Sequence, residues 1–382
     1  MATMTTRTTR TTMATMATMA TRTTRTTRTT RTTRTTRTSF GNIGAPAAVI
    51  IDALKIKNPH ERDARITFDP VPHTYTIDGD TDPARTYTSV TTWNHSHFEE
   101  FNADAVISKM MASKTWATNE KYKGQTREQI KAGWDSNRDQ AAAAGTEMHA
   151  AIELFYNRAA LIELETQKQR NREEEDEEEE EDSPDNIVLQ IDDASPIDAP
   201  DAPGTPGAYP DTPEFRYFLN FARTFSGEGG GTGKTLRAYR TEWTVFHEEA
   251  RISGSIDMVF ENMDPETGDP DGTYSIYDWK RCKEITRHSA FNKWAVTPGL
   301  EHLPDTNYWH YCLQLNVYKY ILQEKYGKTV TDLYLVCLHP DNSNRDYQRI
   351  KVADLQSDVA DIMRARAESF AQAAATAAAA VL

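Results

Sequence analysis

The sequence predicts an α/β fold built around one hydrophobic core. Three strand-like apolar segments follow one another near residues 237–247, 251–261 and 273–280. A helical pattern over about 306–326 separates them from a further strand near 331–338. Roughly 300 residues have a composition that can fold, which is ample for one core of this class.

A hairpin is predicted upstream of this core. Residues 66–78 and 85–92 alternate between apolar and polar side chains, as half-buried strands do. Gly79 and Asp80 between them are residues that turns favour. We therefore expect the two segments to pair around Gly79-Asp80.

Helices are predicted between the hairpin and the core strands. Helical patterns occupy residues near 103–116 and 126–158, and the second is expected to be broken or bent around Gly133 to Ser136. A further helix should begin at Thr212, because a threonine cap followed by proline at the first helical position is a helix-start signal.

Two segments differ from the rest of the chain in composition. Residues 1–38 repeat Arg-Thr-Thr and carry eight Arg and no acid, whereas residues 173–182 are ten consecutive acids. Neither can bury enough apolar surface to offset the entropy lost on ordering. We therefore divide the chain into a disordered Arg/Thr arm, an N-terminal hairpin and helices, an acidic disordered insert, and a core with a C-terminal helix. Their bounds are 1–38, 39–160, 161–212 and 213–382.

Charge and cysteine content exclude several classes of protein. The net charge of −14 is concentrated in the acidic insert, so it neither supports nor excludes a nucleic-acid partner. Cys282, Cys312 and Cys337 contain no Cys-x-x-Cys pair, which excludes a four-cysteine zinc site or iron–sulfur cluster. No apolar segment reaches the length of a membrane span, and no signal-peptide core is present.

These features predict a soluble, intracellular protein in a reducing compartment. The Arg-rich start superficially suits a mitochondrial transit peptide, but its three-residue repeat would form a poor amphipathic face. We therefore favour a low-complexity arm, while nuclear, cytoplasmic, viral and mitochondrial locations all stay open.

Charged residues lie at the ends of two of the core strands. Asp257 follows Gly254-Ser255-Ile256, and Asp278 and Lys280 are two residues apart, so their side chains share one face. A structural role on a surface strand is the common explanation of such a pattern. However, two carboxylates and a lysine at the ends of adjacent strands can also hold a divalent cation and a water beside a phosphodiester.

Two helical segments carry further candidate residues. His149 and Glu153 are four apart and share a helix face. Gly145 lies one turn earlier, where a missing side chain leaves room for a ligand or a strand. Gln314 and Tyr318 are also four apart on a helical pattern. Each pair alone is typical of an ordinary amphipathic helix.

Together, and in this order, the four elements resemble the PD-(D/E)XK nuclease superfamily. The resemblance is to the branch of RecB-type and phage lambda-type exonucleases and the mitochondrial genome maintenance exonuclease. Its motifs are Gly-x-x-x-His, Gly-x-(Ile/Val)-Asp, (Asp/Glu)-x-Lys and Gln-x-x-x-Tyr. They correspond here to Gly145–His149, Gly254–Asp257, Asp278–Lys280 and Gln314–Tyr318. The match covers about residues 140–160 and 236–340, and the low-complexity tails are similar to those of versions from large DNA viruses.

The resemblance implies a restriction-endonuclease-like core, with a mixed central sheet flanked by helices and an N-terminal hairpin and helical extension. It implies Mg²⁺ or Mn²⁺ as cofactor and DNA as partner. The metal ligands would be Asp257, Asp278, His149, Glu153 and Glu242, with the carbonyl of Trp279 as an extra ligand. Lys280 would touch the attacking water and the scissile phosphate, and Gln314 and Tyr318 would orient the substrate.

Several functions remain open on this basis. The leading hypothesis is a metal-dependent DNA exonuclease in repair, recombination or genome processing. A structure-specific endonuclease or junction resolvase could use the same core. A catalytically silent nucleic-acid-binding relative is disfavoured, because Asp257, Asp278 and Lys280 are all present. The hypothesis of a purely structural interaction protein would not explain why the four motifs occur together.

Overall fold

A computed structural model describes residues 52–80, 86–178, 209–226 and 235–379. The Arg/Thr arm and much of the acidic insert predicted from the sequence lie outside these residues. The first described elements are α1 (Ala53–Lys57), β1 (Ile66–Asp69), β2 (Thr74–Ile77), β3 (Thr88–Ser89), α2 (Val90–Ser96) and α3 (Ala103–Met111).

The N-terminal hairpin is tighter than predicted. β1 and β2 pair antiparallel inside the segment that was expected to form a single strand, from Ile66 opposite Ile77 to Asp69 opposite Thr74. Pro70 and Pro72 lack the amide hydrogen that a ladder needs, so the chain turns between β1 and β2 instead. Gly79 does lie in a turn, with φ +83°, but the expected pairing of the two segments around Gly79-Asp80 is wrong. The expected partner strand is reduced to β3, which pairs with a core strand.

A 52-residue helix, α4 (Arg127–Glu178), follows. The break predicted around Gly133 to Ser136 does not occur, since the helix is continuous there. Trp134 is buried against Ile107 and Tyr122, and its indole N–H donates to the Tyr122 hydroxyl at 3.0 Å. The same helix continues past residue 161, where the sequence analysis placed the start of the acidic insert.

The remaining elements follow the predicted order closely. They are α5 (Pro213–Phe225), β4 (Leu236–His247), β5 (Ile252–Met263), β6 (Pro270–Lys280), α6 (Asn307–Tyr326), β7 (Thr329–Cys337), β8 (Gln348–Lys351) and α7 (Gln356–Ala379). The helix start at Thr212 is confirmed, because its side chain accepts the Phe215 amide at 3.2 Å. None of the described helices combines the length and apolarity that crossing a bilayer would require.

The core strands form a mixed sheet in the order β4–β5–β6–β7–β8, with β3 beside the start of β5. β6 and β7 are parallel, whereas the β4–β5, β5–β6 and β7–β8 pairs are antiparallel. One apolar cluster packs α2, α6 and α7 on the sheet, and a second packs α1, α4 and α5. The predicted mixed sheet flanked by helices is therefore confirmed.

The sheet opens where β5 and β6 separate. Their ladder ends at Met258 opposite Tyr277, so Asp257 and the Asp278–Lys280 segment lie just beyond the last pair. Lys280 ends β6 as expected. Asp257, in contrast, lies inside β5 rather than at its end, because β5 continues along β4 and β3. The charged residues Asp257, Asp278 and Lys280 therefore lie close together at this opening.

A buried ion pair fixes the N-terminal region to β4. Asp63 accepts from Arg240 Nη1 at 2.7 Å and from the Trp243 indole at 2.9 Å. Burial alone would raise the pKa of Asp63, but the Arg240 guanidinium outweighs burial and lowers it. The carboxylate therefore neutralises a guanidinium that is almost completely inaccessible to solvent.

We expect Asp63→Asn to lower the free energy of unfolding by about 3 kcal/mol at neutral pH, because the Arg240 charge would stay buried without its counter-charge. The stabilisation is fully present above the ordinary carboxyl pKa, near 4, and is lost as pH falls through the lowered folded-state pKa. Urea unfolding from pH 7 to pH 3 measures this difference. Asp361→Asn, in an exposed pair with Arg364, is the control and should change little. A difference that did not shrink at low pH would contradict an electrostatic origin.

Candidate active site

Three metal-ligand side chains meet at the opening between β5 and β6. His149 comes from α4, Glu242 from β4 and Asp257 from β5, and one ligand atom from each lies within 4.8 Å of the other two. His149 Nδ1 is 3.6 Å from Glu242 Oε1 and 3.6 Å from Asp257 Oδ2. An imidazole nitrogen and two carboxylates form a donor set suited to a divalent cation.

Glu242 is held in place by an unusual backbone conformation. Its φ is +41°, a left-handed conformation that a side chain beyond glycine seldom adopts. The β4–β5 register places Thr241 opposite Met258 and Trp243 opposite Ile256, so Glu242 faces Asp257. Ser255 donates its hydroxyl to Glu242 Oε2 at 2.9 Å. Strain of this kind persists only where the surrounding structure fixes it, and it is concentrated at functional sites.

Hydrogen bonds to the backbone of Trp279 fix two of the ligands. Asp257 Oδ2 accepts the Trp279 amide at 3.0 Å. His149 Nε2 lies 3.0 Å from the Trp279 carbonyl, to which it donates. With Nε2 bonded in this way, Nδ1 is the nitrogen that faces the carboxylates, which is the usual arrangement of a metal-binding histidine. The Trp279 carbonyl, expected as a metal ligand, thus serves as the acceptor for His149. The Trp279 ring itself is buried in the core.

Asp278 and Lys280 form a pair beside this group. Lys280 Nζ lies 2.6 Å from Asp278 Oδ2 and 4.6 Å from the centre of the Tyr311 ring. Asp278 is only 3% exposed, and its Oδ2 has no well-aligned hydrogen bond among the described residues. The Lys280 ammonium already neutralises this oxygen, so a divalent cation bound here would share Asp278 with Lys280.

The crowding of carboxylates changes the pKa values of the site. Burial and the neighbouring Asp278 raise the pKa of Asp257 to about 7. Burial would lower the pKa of His149, but Asp257 and Glu242 raise it to about 9. Burial would likewise lower the pKa of Lys280, and the carboxylates of Asp278 and Asp257 raise it instead. The site therefore favours positive charge, which a divalent cation would supply.

Glu153 lies outside the group of three ligands. It is one turn beyond His149 on α4, and burial together with the charge of Glu242 raises its pKa to about 7. Glu153 is thus close enough to interact electrostatically with the site, whereas Glu242, the carboxylate with the weakest sequence signal, lies at its centre.

Gln314 and Tyr318 approach from α6. Tyr318 is buried, and Gln314 lies one turn earlier on the same helix. Gly254 lies directly against this ring, because a Cβ there would be 2.7 Å from the Tyr318 hydroxyl oxygen. The glycine of the Gly254–Asp257 motif therefore allows α6 to approach β5. A Cβ at Gly145 would meet nothing within 4 Å, so the space beside α4 is open there.

Two supporting residues were not identified from the sequence. Ser255 orients Glu242, and Tyr311 packs beneath the Lys280 ammonium. The spacing of both residues in the sequence could have indicated their position near the site. Ser255 is two residues before Asp257 on the same strand face, and Tyr311 is three residues before Gln314 on the same helix face.

The donor set fits a divalent cation. His149, Glu242 and Asp257 supply converging ligand atoms, the His149 tautomer is fixed, and Asp278 contributes a nearby buried oxygen. Oxygen ligands with one imidazole are compatible with Mg²⁺ and Mn²⁺.

Comparison with known proteins agrees with this geometry. A family model described as the PD-(D/E)XK nuclease superfamily matches residues 120–381, which includes α4, the sheet opening and α6. No individual curated protein matches the sequence significantly.

The two motif glycines should respond differently to substitution. Gly254→Ala would force its Cβ against Tyr318, and we expect it to lower the free energy of unfolding by about 1–3 kcal/mol. Gly145→Ala meets open space inside a helix, so it should raise stability by up to about 1 kcal/mol. Urea unfolding of both variants measures the contrast. Equal effects would show that the approach of Tyr318 to β5 does not constrain position 254.

Proposed function

Because the chain belongs to the PD-(D/E)XK nuclease superfamily, we propose that it is a divalent-metal-dependent nuclease that hydrolyses DNA, and specifically an exonuclease in repair, recombination or genome processing. The observation that carries this proposal is the meeting of His149, Glu242 and Asp257 beside the Asp278–Lys280 pair. The Gly145–His149 and Gln314–Tyr318 motifs support placement in the branch of RecB-type and lambda-type exonucleases.

Mg²⁺ or Mn²⁺ would be held by His149, Glu242 and Asp257, with Asp278 as a further oxygen ligand. When bound, the ion supplies positive charge for the phosphate and lowers the pKa of a coordinated water. His149 donates its Nε2 proton to the Trp279 carbonyl. This hydrogen bond orients the imidazole ring whether or not the ion is bound. Glu153, one turn away, is placed to orient a water at the edge of the site.

Lys280 acts through its charge. The carboxylates of Asp278 and Asp257 keep its pKa raised, so Nζ stays protonated and cannot remove a proton from water at neutral pH. An ammonium can donate to a phosphate oxygen and stabilise the charge that grows there during hydrolysis. Asp278 and the Tyr311 ring hold the ammonium at this position.

Gln314 and Tyr318 act as a unit on the α6 side. The Gln314 side chain is only half-buried, whereas Tyr318 is buried, so Gln314 is the member that can reach a phosphate or base. Tyr318 is buried and positions Gln314 against β5.

The proposal is tested with end-labelled linear DNA and closed circular DNA, with and without Mg²⁺. We expect metal-dependent loss of label from linear DNA while the circle stays intact. Cutting of the circle would indicate an endonuclease or junction resolvase instead. If neither DNA is cut, the chain is a silent nucleic-acid-binding relative.

Asp278→Asn and Lys280→Met should separate binding from chemistry. Each variant keeps the shape of the side chain and removes its charge, so we expect cleavage to fall by about 10²-fold or more. DNA affinity measured in Ca²⁺ should change far less. Single-turnover rates and fluorescence anisotropy provide the two measurements. Cleavage by either variant at the rate of the unmodified protein would reject this assignment of the centre.

His149→Ala should produce a loss that depends on the metal. Because Mn²⁺ tolerates irregular coordination better than Mg²⁺, we expect Mn²⁺ to restore part of the cleavage that is lost in Mg²⁺. His302→Ala, at a half-exposed surface histidine, is the control and should leave both rates unchanged. Equal losses in the two metals would assign His149 to substrate placement.

A further inference from the structure

The loop between β6 and α6 exposes an apolar surface. Phe291 is 65% exposed, Trp294 44% and Val296 56%, so three large exposed apolar side chains fall within six consecutive residues. Scattered single apolar residues are normal on protein surfaces, whereas a contiguous group marks a binding surface. We call Phe291, Trp294 and Val296 the aromatic platform.

The backbone beneath the aromatic platform is firmly anchored. The Ala295 amide donates to the Leu303 carbonyl at 2.9 Å, and Ala295 itself is buried. The Val296 amide donates to the His97 carbonyl at 2.8 Å. These bonds hold the exposed rings on a fixed support, which lowers the entropy lost when a ligand binds to them.

The platform is linked to the active site through a series of contacts. The loop begins immediately after Lys280 and leads into α6, which carries Gln314. The ring of Tyr311 packs under the Lys280 ammonium, and the neighbouring His310 stacks on Phe98 with ring centres 3.8 Å apart. Phe98 adjoins His97, the residue bonded to the platform. These contacts place the base of the platform beside the first turns of α6, which carry His310 and Tyr311.

The loop is also basic. Between Lys280 and the platform it contains Arg281, Lys283 and Arg287 but only one acid, Glu284. Arg281 and Lys283 pair with Glu214 and Asp341 from other elements, so Arg287 is the cation that a ligand could use. Arg287 is exposed and has no carboxylate partner among the described residues, and its guanidinium lies 4.1 Å from the centre of the Tyr308 ring. Exposed aromatic rings and a positioned cation on one loop are the elements that bind unpaired nucleic acid, since bases stack on rings and cations contact phosphates.

We propose that Phe291 and Trp294 stack on unpaired bases of a DNA strand whose phosphate backbone continues past Lys280, with Arg287 on an adjacent phosphate. This inference rests on the proposed nuclease function and specifies its ligand as single-stranded DNA. Paired bases present only their edges, so a duplex would gain little from the aromatic platform.

The test uses the full chain in Ca²⁺, with fluorescence anisotropy of a labelled single-stranded oligonucleotide and of a blunt duplex. We expect Phe291→Ala and Trp294→Ala each to weaken binding of the oligonucleotide by about tenfold. Trp294→Phe should retain most of the affinity, because it keeps a stacking surface. Ile56→Ala, at a residue 63% exposed on α1, is the matched control and should bind like the unmodified protein.

Salt dependence separates stacking from charge. The alanine variants should keep the salt dependence of the unmodified protein, whereas Arg287→Gln should reduce the slope of log affinity against log salt by about 0.7, the value of one single-strand phosphate contact. An unmodified protein that does not bind the oligonucleotide would overturn the proposal. So would alanine variants that bind it equally well, as expected if the surface serves a protein partner.

This failure can be distinguished from failure of the nuclease proposal. Binding in Ca²⁺ does not require cleavage, so loss of affinity in the alanine variants supports the platform even if no DNA is cut in Mg²⁺. Conversely, cleavage by the unmodified protein, together with unchanged binding by the variants, rejects the platform alone.

Discussion

The bond from the Trp279 amide to the Asp257 carboxylate is the contact on which the site depends. It joins β5 and β6 one step beyond their last ladder pair, where no backbone partner remains. The same peptide segment presents its carbonyl to His149, so α4 is positioned by the strand that carries Asp278 and Lys280. One short stretch of β6 thus aligns groups from two other elements, β5 and α4.

The site concentrates negative charge to a degree that the fold itself does not require. Asp257 and Asp278 are both largely withdrawn from water, and this burial together with their mutual repulsion raises the pKa of Asp257. Lys280 offsets part of this charge, and Glu242 adds more from a strained backbone position. Clustered carboxylates repel one another, and their presence is explained if a cation normally binds between them.

Much of the fold follows from local patterns, since the core strands and α6 have clear periodicity and α5 begins at a Thr-Pro signal. The predicted pairing of residues 66–78 with 85–92 is wrong, because Pro70 and Pro72 interrupt the strand. The alternation of apolar and polar residues alone would have continued that strand. The motifs likewise point to Asp257 and Lys280, which the structure places at the candidate site. The central place of Glu242 could not be predicted, because it depends on a positive φ and on cross-strand register. Nor could the need for glycine at position 254 be predicted, because it depends on the ring of Tyr318, which is distant in sequence.

The length of α4 sets a minimum distance inside the molecule. A helix rises about 1.5 Å per residue, so the backbone of Glu173 to Glu178 lies about 36–44 Å along the axis from His149. The backbone of these six acids is therefore far from the candidate metal ligands of its own chain. If these acids compete with DNA phosphates for an active site, that active site belongs to another molecule. The competition would then increase with protein concentration.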